Sequence, residues 1–158
     1  MTDWTVTPMT QAEAEEVAGW HYPGEYAFYD ADSVSDGLSE LLDPARRGDE
    51  YLAARGPDGS LEGFVQLEAA GDGVEIGLGL RPDLTGRGLG LAFTAAAIEL
   101  AEHRGAERIV LVVAAFNLRA IRVYERAGFV ETGRHMRHIA GRDWEFVDME
   151  LEPTPDEP

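Results

Sequence analysis

Cysteine is absent from the 158 residues, so no disulfide, thiolate zinc site or catalytic thiol can form. Basic side chains are scarce: Lys+Arg total 13 against 30 Asp+Glu, a formal net charge of −17. Nucleic acid is held through clustered Lys and Arg, so this balance argues against a nucleic-acid partner. There are 4 histidines, with no HExxH and no close pair. His135 and His138 fall on opposite faces of an extended strand, so no metal site is expected. No apolar run approaches the roughly 20 residues of a membrane-spanning helix, which argues against a membrane role. The opening MTDWTVTPMTQ lacks the basic stretch and apolar core of a secretory signal, and the expected location is cytoplasmic.

What is present suffices for a folded domain. At 44% hydrophobic and 27% charged, the chain can fill a core. Residues 1–152 read as a single domain, and the proline-rich acidic tail PTPDEP, 153–158, as disordered. Residues 4–8 alternate like a short strand. Thr10 and Glu13 form a capping box that opens a helix to about Gly19. The aromatic stretch WHYPGEYAFYD follows, and a second short helix from Ser33 or Ser35 to Leu42, closed by Asp43-Pro44. Strands are expected over 51–55, 61–69 and 74–81, joined by Gly-Pro-Asp-Gly and Gly-Asp-Gly turns as an antiparallel meander. The longest helix spans 89–104, with Leu89, Phe93, Ala96, Ala97 and Leu100 on one face. A buried strand at 108–114 follows, then a helix from Asn117 to Ala127 with Gly128 past its end. A closing hairpin, 129–138 with 142–151, completes a mixed α/β sheet of about seven strands, with a strand–helix–strand crossover around residues 74–113.

The stretch PDLTGRGLGLAF, 82–93, is the chemically pointed one. Glycines let backbone approach a ligand closely. The first turn of a helix presents unpaired N–H groups and partial positive charge, which suits an anion, and Arg87 adds a full charge. The site suits a diphosphate. No lysine lies nearby, so this is not a Walker A loop, and GxGxxG fails because Leu91 or Phe93 stands where the third glycine belongs. Repulsion from the acidic chain does not forbid such a site, since screening removes charges beyond about 8–10 Å.

Two linked motifs then carry a resemblance. Thr85-Gly86-Arg87-Gly88-Leu89-Gly90 opens a helix, and Asn117, Ala120, Tyr124, Gly128 and Phe129 fall in the pattern Asn-x-x-Ala-x-x-x-Tyr-x-x-x-Gly-Phe. Together with the order of elements, they resemble the GCN5-related N-acetyltransferase (GNAT) family. The resemblance implies a mostly antiparallel sheet with a splayed parallel pair at its centre and about four helices. It implies acetyl-CoA as acetyl donor, with no metal. The amides of Arg87, Gly88, Leu89 and Gly90 would hold the pyrophosphate, with Gly86 in the same cofactor loop beside Thr85, which replaces the family's usual Gln or Arg. The open edge of Leu78, Gly79 and Leu80 would pair with the pantetheine, with Gly77 and Gly79 suited to a bulge or a close approach, and Asn117 would also contact that arm.

By the same resemblance Tyr124 is the general acid to the CoA thiolate; a phenol of pKa near 10 is protonated at neutral pH. One branch of the family places a Glu five residues before the Asn; Val112 stands there. Glu75 or a water is then the base that frees the amine, and a strand N–H such as that of Leu80 meets the oxyanion. The acceptor is a primary amine, expected on a small molecule. Trp20, Tyr22, Tyr26, Phe28 and Tyr29 form either a cage for it or a hydrophobic plug. A non-catalytic acyl-CoA sensor and a peptide N-terminal acetyltransferase are the alternatives, and a homodimer is implied because family members are often dimers.

Overall fold

The structure, a computed structural model, describes residues 4–22, 41–139 and 141–152. Tyr26, Phe28, Tyr29, most of the helix expected to end at Leu42 and the tail 153–158 lie outside these residues. In chain order the elements are β1 (Thr5–Pro8), α1 (Gln11–Ala18), α2 (Pro44–Arg47), β2 (Tyr51–Arg55), β3 (Leu61–Ala70) and β4 (Gly73–Leu80). A 3-10 turn (Pro82–Leu84), α3 (Gly90–His103), β5 (Ile109–Ala114), α4 (Leu118–Ala127), β6 (Phe129–Ile139) and β7 (Arg142–Leu151) follow. The 7-stranded sheet runs β1-β2-β3-β4-β5-β7-β6. All neighbours pair antiparallel except β4 and β5, which are parallel.

Local chemistry accounts for most boundaries. The Thr10 hydroxyl accepts the Glu13 N–H at 3.2 Å while the Glu13 carboxylate accepts the Thr10 N–H at 2.9 Å, closing the capping box. The helix α2 was not expected. Asp43-Pro44 reads as a stop, yet Asp43 accepts the Ala45 N–H at 2.9 Å and Pro44 takes the first turn, where its missing N–H costs nothing. Gly128 sits at φ 111° just past α4 and turns the chain into β6.

The sheet separates two apolar layers. Against α3 and α4 lie Val65, Leu67, Ile76, Leu111, Val113, Val147 and Met149, with Phe93 inserted from α3. Burying Phe93 contributes about 1.5–3 kcal/mol. The buried stripe of α3 is Phe93, Thr94, Ala97 and Ala101; Leu89, Ala96 and Leu100, expected on it, are only half-buried. Thr94 is tolerated because its hydroxyl donates to the Gly90 carbonyl at 2.8 Å. The opposite face carries α1, with Met9, Ala14, Val17, Trp20, Leu41, Tyr51, Ala53 and Leu61 packed together. Among the described residues, no helix is long and apolar enough to cross a membrane.

Candidate active site

Strands β4 and β5 pair only at Val74↔Ile109 and Glu75↔Val110. Beyond that point β4 stays in register with β3 up to Gly63↔Leu80, and β5 stays with β7 up to Ala114↔Phe146. Each strand keeps its other partner, so the two diverge as a wedge that closes at Glu75. Of the two uses expected of Gly77 and Gly79, a bulge is not seen, since the β3–β4 register is continuous. Gly79 serves a close approach instead: a Cβ there would lie 2.2 Å from the Phe64 ring.

The Val74 N–H donates to the Arg108 carbonyl at 2.9 Å, so even-numbered residues of β4 aim their main-chain groups toward β5. Leu78 and Leu80 therefore offer N–H and C=O to the opened gap. A cavity of about 610 Å³ fills it. Phe93, Thr94, Ala120, Val123 and Tyr124 line it from the α3/α4 side, and Tyr22, Phe64 and Gln66 from the α1 side. The gap is thus a slot lined by residues from both faces of the sheet.

At one end of the slot lies the glycine loop. Gly86 and Gly88 have φ of 75° and 79°, conformations that an L side chain rarely adopts. Leu89 begins α3 with no side-chain cap, so the first-turn amides keep their donors for a ligand. Arg81 clamps the approach to the loop: its Nε and Nη2 meet the Asp83 carboxylate at 2.6 and 3.2 Å, and its Nη1 donates to the Leu61 carbonyl at 3.0 Å. The hydrogen bond from Arg81 holds the Asp83 carboxyl below the usual carboxylate range. Thr85 turns inward, its hydroxyl donating to the Pro82 carbonyl at 2.8 Å.

Of the expected coenzyme residues, Leu78, Gly79, Leu80, Thr85, Gly86, Gly88, Gly90 and Asn117 border the cavity, and Arg87 and Leu89 sit in the same loop. Asn117 caps α4 by accepting the Ala120 N–H at 3.2 Å. Tyr124 reaches the cavity two turns later, with its ring edge-on to Phe129 at 6.1 Å. Arg119 was not expected at the site. Its guanidinium lies 3.4 Å from where a Gly86 Cβ would stand, and it borders the cavity. Its position two residues after the cap, on the first turn of α4, was the available signal.

The acceptor side divides the expected residues. Trp20 does not reach the cavity: it is 8% exposed and packs on Phe64 at 6.4 Å within the α1 layer, because α1 ends immediately before it and points it at the sheet. Tyr22 does reach it, and its hydroxyl donates to the Leu80 carbonyl at 2.8 Å, on the very edge expected to receive pantetheine. Glu75 lies at the closing pair between Glu68 and Val110 and does not border the cavity, since the strands are still joined there. Gln66 and Phe64, unremarked in the sequence, form that wall. Among the described residues no group of three or more His, Cys, Asp or Glu could hold a metal ion.

A slot in a splayed parallel pair, set below a glycine loop at a helix start, is the arrangement the motifs implied. Residues 10–129 match the Acetyltransferase (GNAT) family. The chain belongs to the GNAT acetyltransferase family. It is similar to the mycothiol acetyltransferase of Clavibacter sepedonicus, 42% identical over 98 residues that cover 61% of this chain and 31% of the relative. It is also similar to that of Propionibacterium freudenreichii subsp. shermanii, 31% identical over 142 residues covering 87% of this chain and 44% of the relative. The chain spans less than half the length of these curated relatives. In fold it resembles a chimera of the Vibrio cholerae spermidine N-acetyltransferase SpeG with hSSAT, at TM-score 0.77 and 20% identity, covering 94% of each chain. Within the GNAT family the inward-turned Thr85 is a departure: a short side chain occupied by its own loop stands where a long donor is usual.

Proposed function

We propose that this chain transfers an acetyl group from acetyl-CoA to a primary amine on a small molecule. The slot between β4 and β5 carries the proposal, because it joins a glycine loop at a helix start to a strand edge that β5 leaves unpaired and is lined on the other side by residues of the α1 face. The pyrophosphate lies on the amides of residues 86–90, with Arg87 and Arg119 adding charge. The pantetheine extends along Leu80 and Leu78 as an added strand. Its thioester then points toward the closing pair at Glu75.

The acceptor enters from the α1 side, past Tyr22, Phe64 and Gln66. An ammonium group loses a proton to water, or through water to Glu75, which lies beyond the cavity at the closing pair, and the freed lone pair attacks the thioester carbonyl carbon. The oxyanion meets the Leu78 N–H, which lies nearer the closing pair than that of Leu80. The C–S bond breaks, Tyr124 protonates the departing sulfur, and the second amine proton passes out and restores the phenol. Relatives more than 30% identical are named for mycothiol, a small molecule and not a protein, which favours this acceptor class.

A thiol-release assay with acetyl-CoA and a panel of amines tests the reading. CoA release that depends on the amine is expected, and binding of acetyl-CoA without such release would indicate a sensor instead. Tyr124→Phe is expected to lower kcat about 10- to 100-fold while acetyl-CoA binding, measured by calorimetry, changes less than about twofold. Equal loss of both would make Tyr124 a packing residue.

A further inference from the structure

On the α1 face of the sheet, beside the slot, stands a side-chain network that the mechanism above leaves unused. Val112 borders the cavity, and its partner across β5 and β7 is Asp148. Leu111 and Val113, and Val147 and Met149, fill the α3/α4 core, so Val112 and Asp148 both face the α1 side. The Ala115 N–H donates to the Glu145 carbonyl on β7, so odd-numbered β5 residues bond β7. Val112↔Asp148 is therefore a pair without main-chain hydrogen bonds, the type whose side chains approach most closely.

The Asp148 carboxylate is held in place. Its Oδ2 lies 3.1 Å from His135 Nδ1, and Arg137 Nε lies 2.9 Å from His135 Nε2. An arginine can only donate, so in this arrangement Nε2 accepts and Nδ1 is the nitrogen that donates to Asp148. His135 also stacks on Phe146 at 5.7 Å, and Arg137 lies over the same ring at 4.9 Å. Among the described residues Oδ1 of Asp148 has no partner, and the side chain is 37% exposed. Nearby Glu150, by contrast, is engaged by Arg108 at 3.2 Å.

We propose that Asp148, oriented by His135, binds the ammonium group of the acceptor and selects cationic primary amines. The inference rests on the transferase reading. One oxygen is fixed by the imidazole, the other has no partner among the described residues, and the carboxylate, though it does not itself line the cavity, stands one strand from Val112, which does. A cation held there is presented to the thioester from the face that the coenzyme does not occupy. His135 is a positioning residue, and Arg137 and Phe146 fix its ring.

Steady-state kinetics of Asp148→Asn with two kinds of nucleophile tests this. The KM for cationic primary amines is expected to rise about 10- to 100-fold, the loss of one charge-assisted contact. Turnover of hydroxylamine, uncharged at neutral pH, stays within about twofold, as does acetyl-CoA binding. His135→Leu raises the amine KM in the same direction, and His135→Asn, which keeps an N–H donor in place of Nδ1, restores it. An amine KM within about twofold of wild type in Asp148→Asn overturns the proposal and leaves the transferase standing. Equal loss with both nucleophiles also overturns it, since the defect is then not in charge recognition. A wild-type chain that binds acetyl-CoA but acetylates neither nucleophile sinks the transferase reading and this proposal with it.

Discussion

Gly79 illustrates how much of the site depends on a missing atom. It faces the Phe64 ring, and a methyl group in its place would overlap that ring at 2.2 Å. Gly79→Ala is expected to cost about 1–3 kcal/mol through overpacking, read as a lowered thermal midpoint, with part recovered when Phe64→Leu is added. An unchanged midpoint in the single variant would mean that Phe64 moves aside freely. The same ring shows the limits of the sequence at this scale. Trp20, Tyr22 and Phe64 are all aromatic, yet Trp20 joins the core while Tyr22 and Phe64 wall the slot. Nothing in a list of aromatic residues separates those fates; the direction in which α1 releases the chain does. Gly86 and Gly88 were legible because a positive φ leaves few residue types possible.

Elements were easier to read, since each carries its own punctuation. The meander of β2, β3 and β4 is marked by its turns, and α4 by Asn117 at one end and Gly128 at the other. That C-terminal glycine is under test in Gly128→Ala. At φ 111°, with Leu151 3.2 Å from the new Cβ, the substitution is expected to cost about 1–3 kcal/mol. It should appear as a lower denaturant midpoint with unchanged slope; a shift in slope instead would place the effect in the unfolded chain. The short α2 escaped notice because Asp43 and Pro44 end one segment as readily as they begin another. Of the two uses expected of Gly77 and Gly79, the close approach is the one seen at Gly79, and the bulge is not needed. Divergence of β4 from β5 needs no irregular residue when each strand remains bonded to its other neighbour.

At the scale of the whole chain, the net charge of −17 makes the approach of cations favourable and of anions unfavourable until local donors take over. The kcat/KM for a cationic amine is therefore expected to fall several-fold as ionic strength rises from about 0.05 to about 0.5 M, with hydroxylamine unaffected. A flat profile for the amine would assign the surface carboxylates to solvation alone. Sequence patterns gave access to the slot only through the likeness of two motifs to a family, because which strands part is a property of the assembled sheet. The Asp148–His135 pair was out of reach for the same reason: residues 13 positions apart meet only once β6 and β7 are in register. The tapering of the slot carries one more consequence. If the proposed reaction holds, a channel that narrows to the bonded pair Glu75↔Val110 limits how far an acyl tail can run between the strands toward that pair. Under the proposed reaction, the run left for the acyl group is then set in part by where the two main chains join.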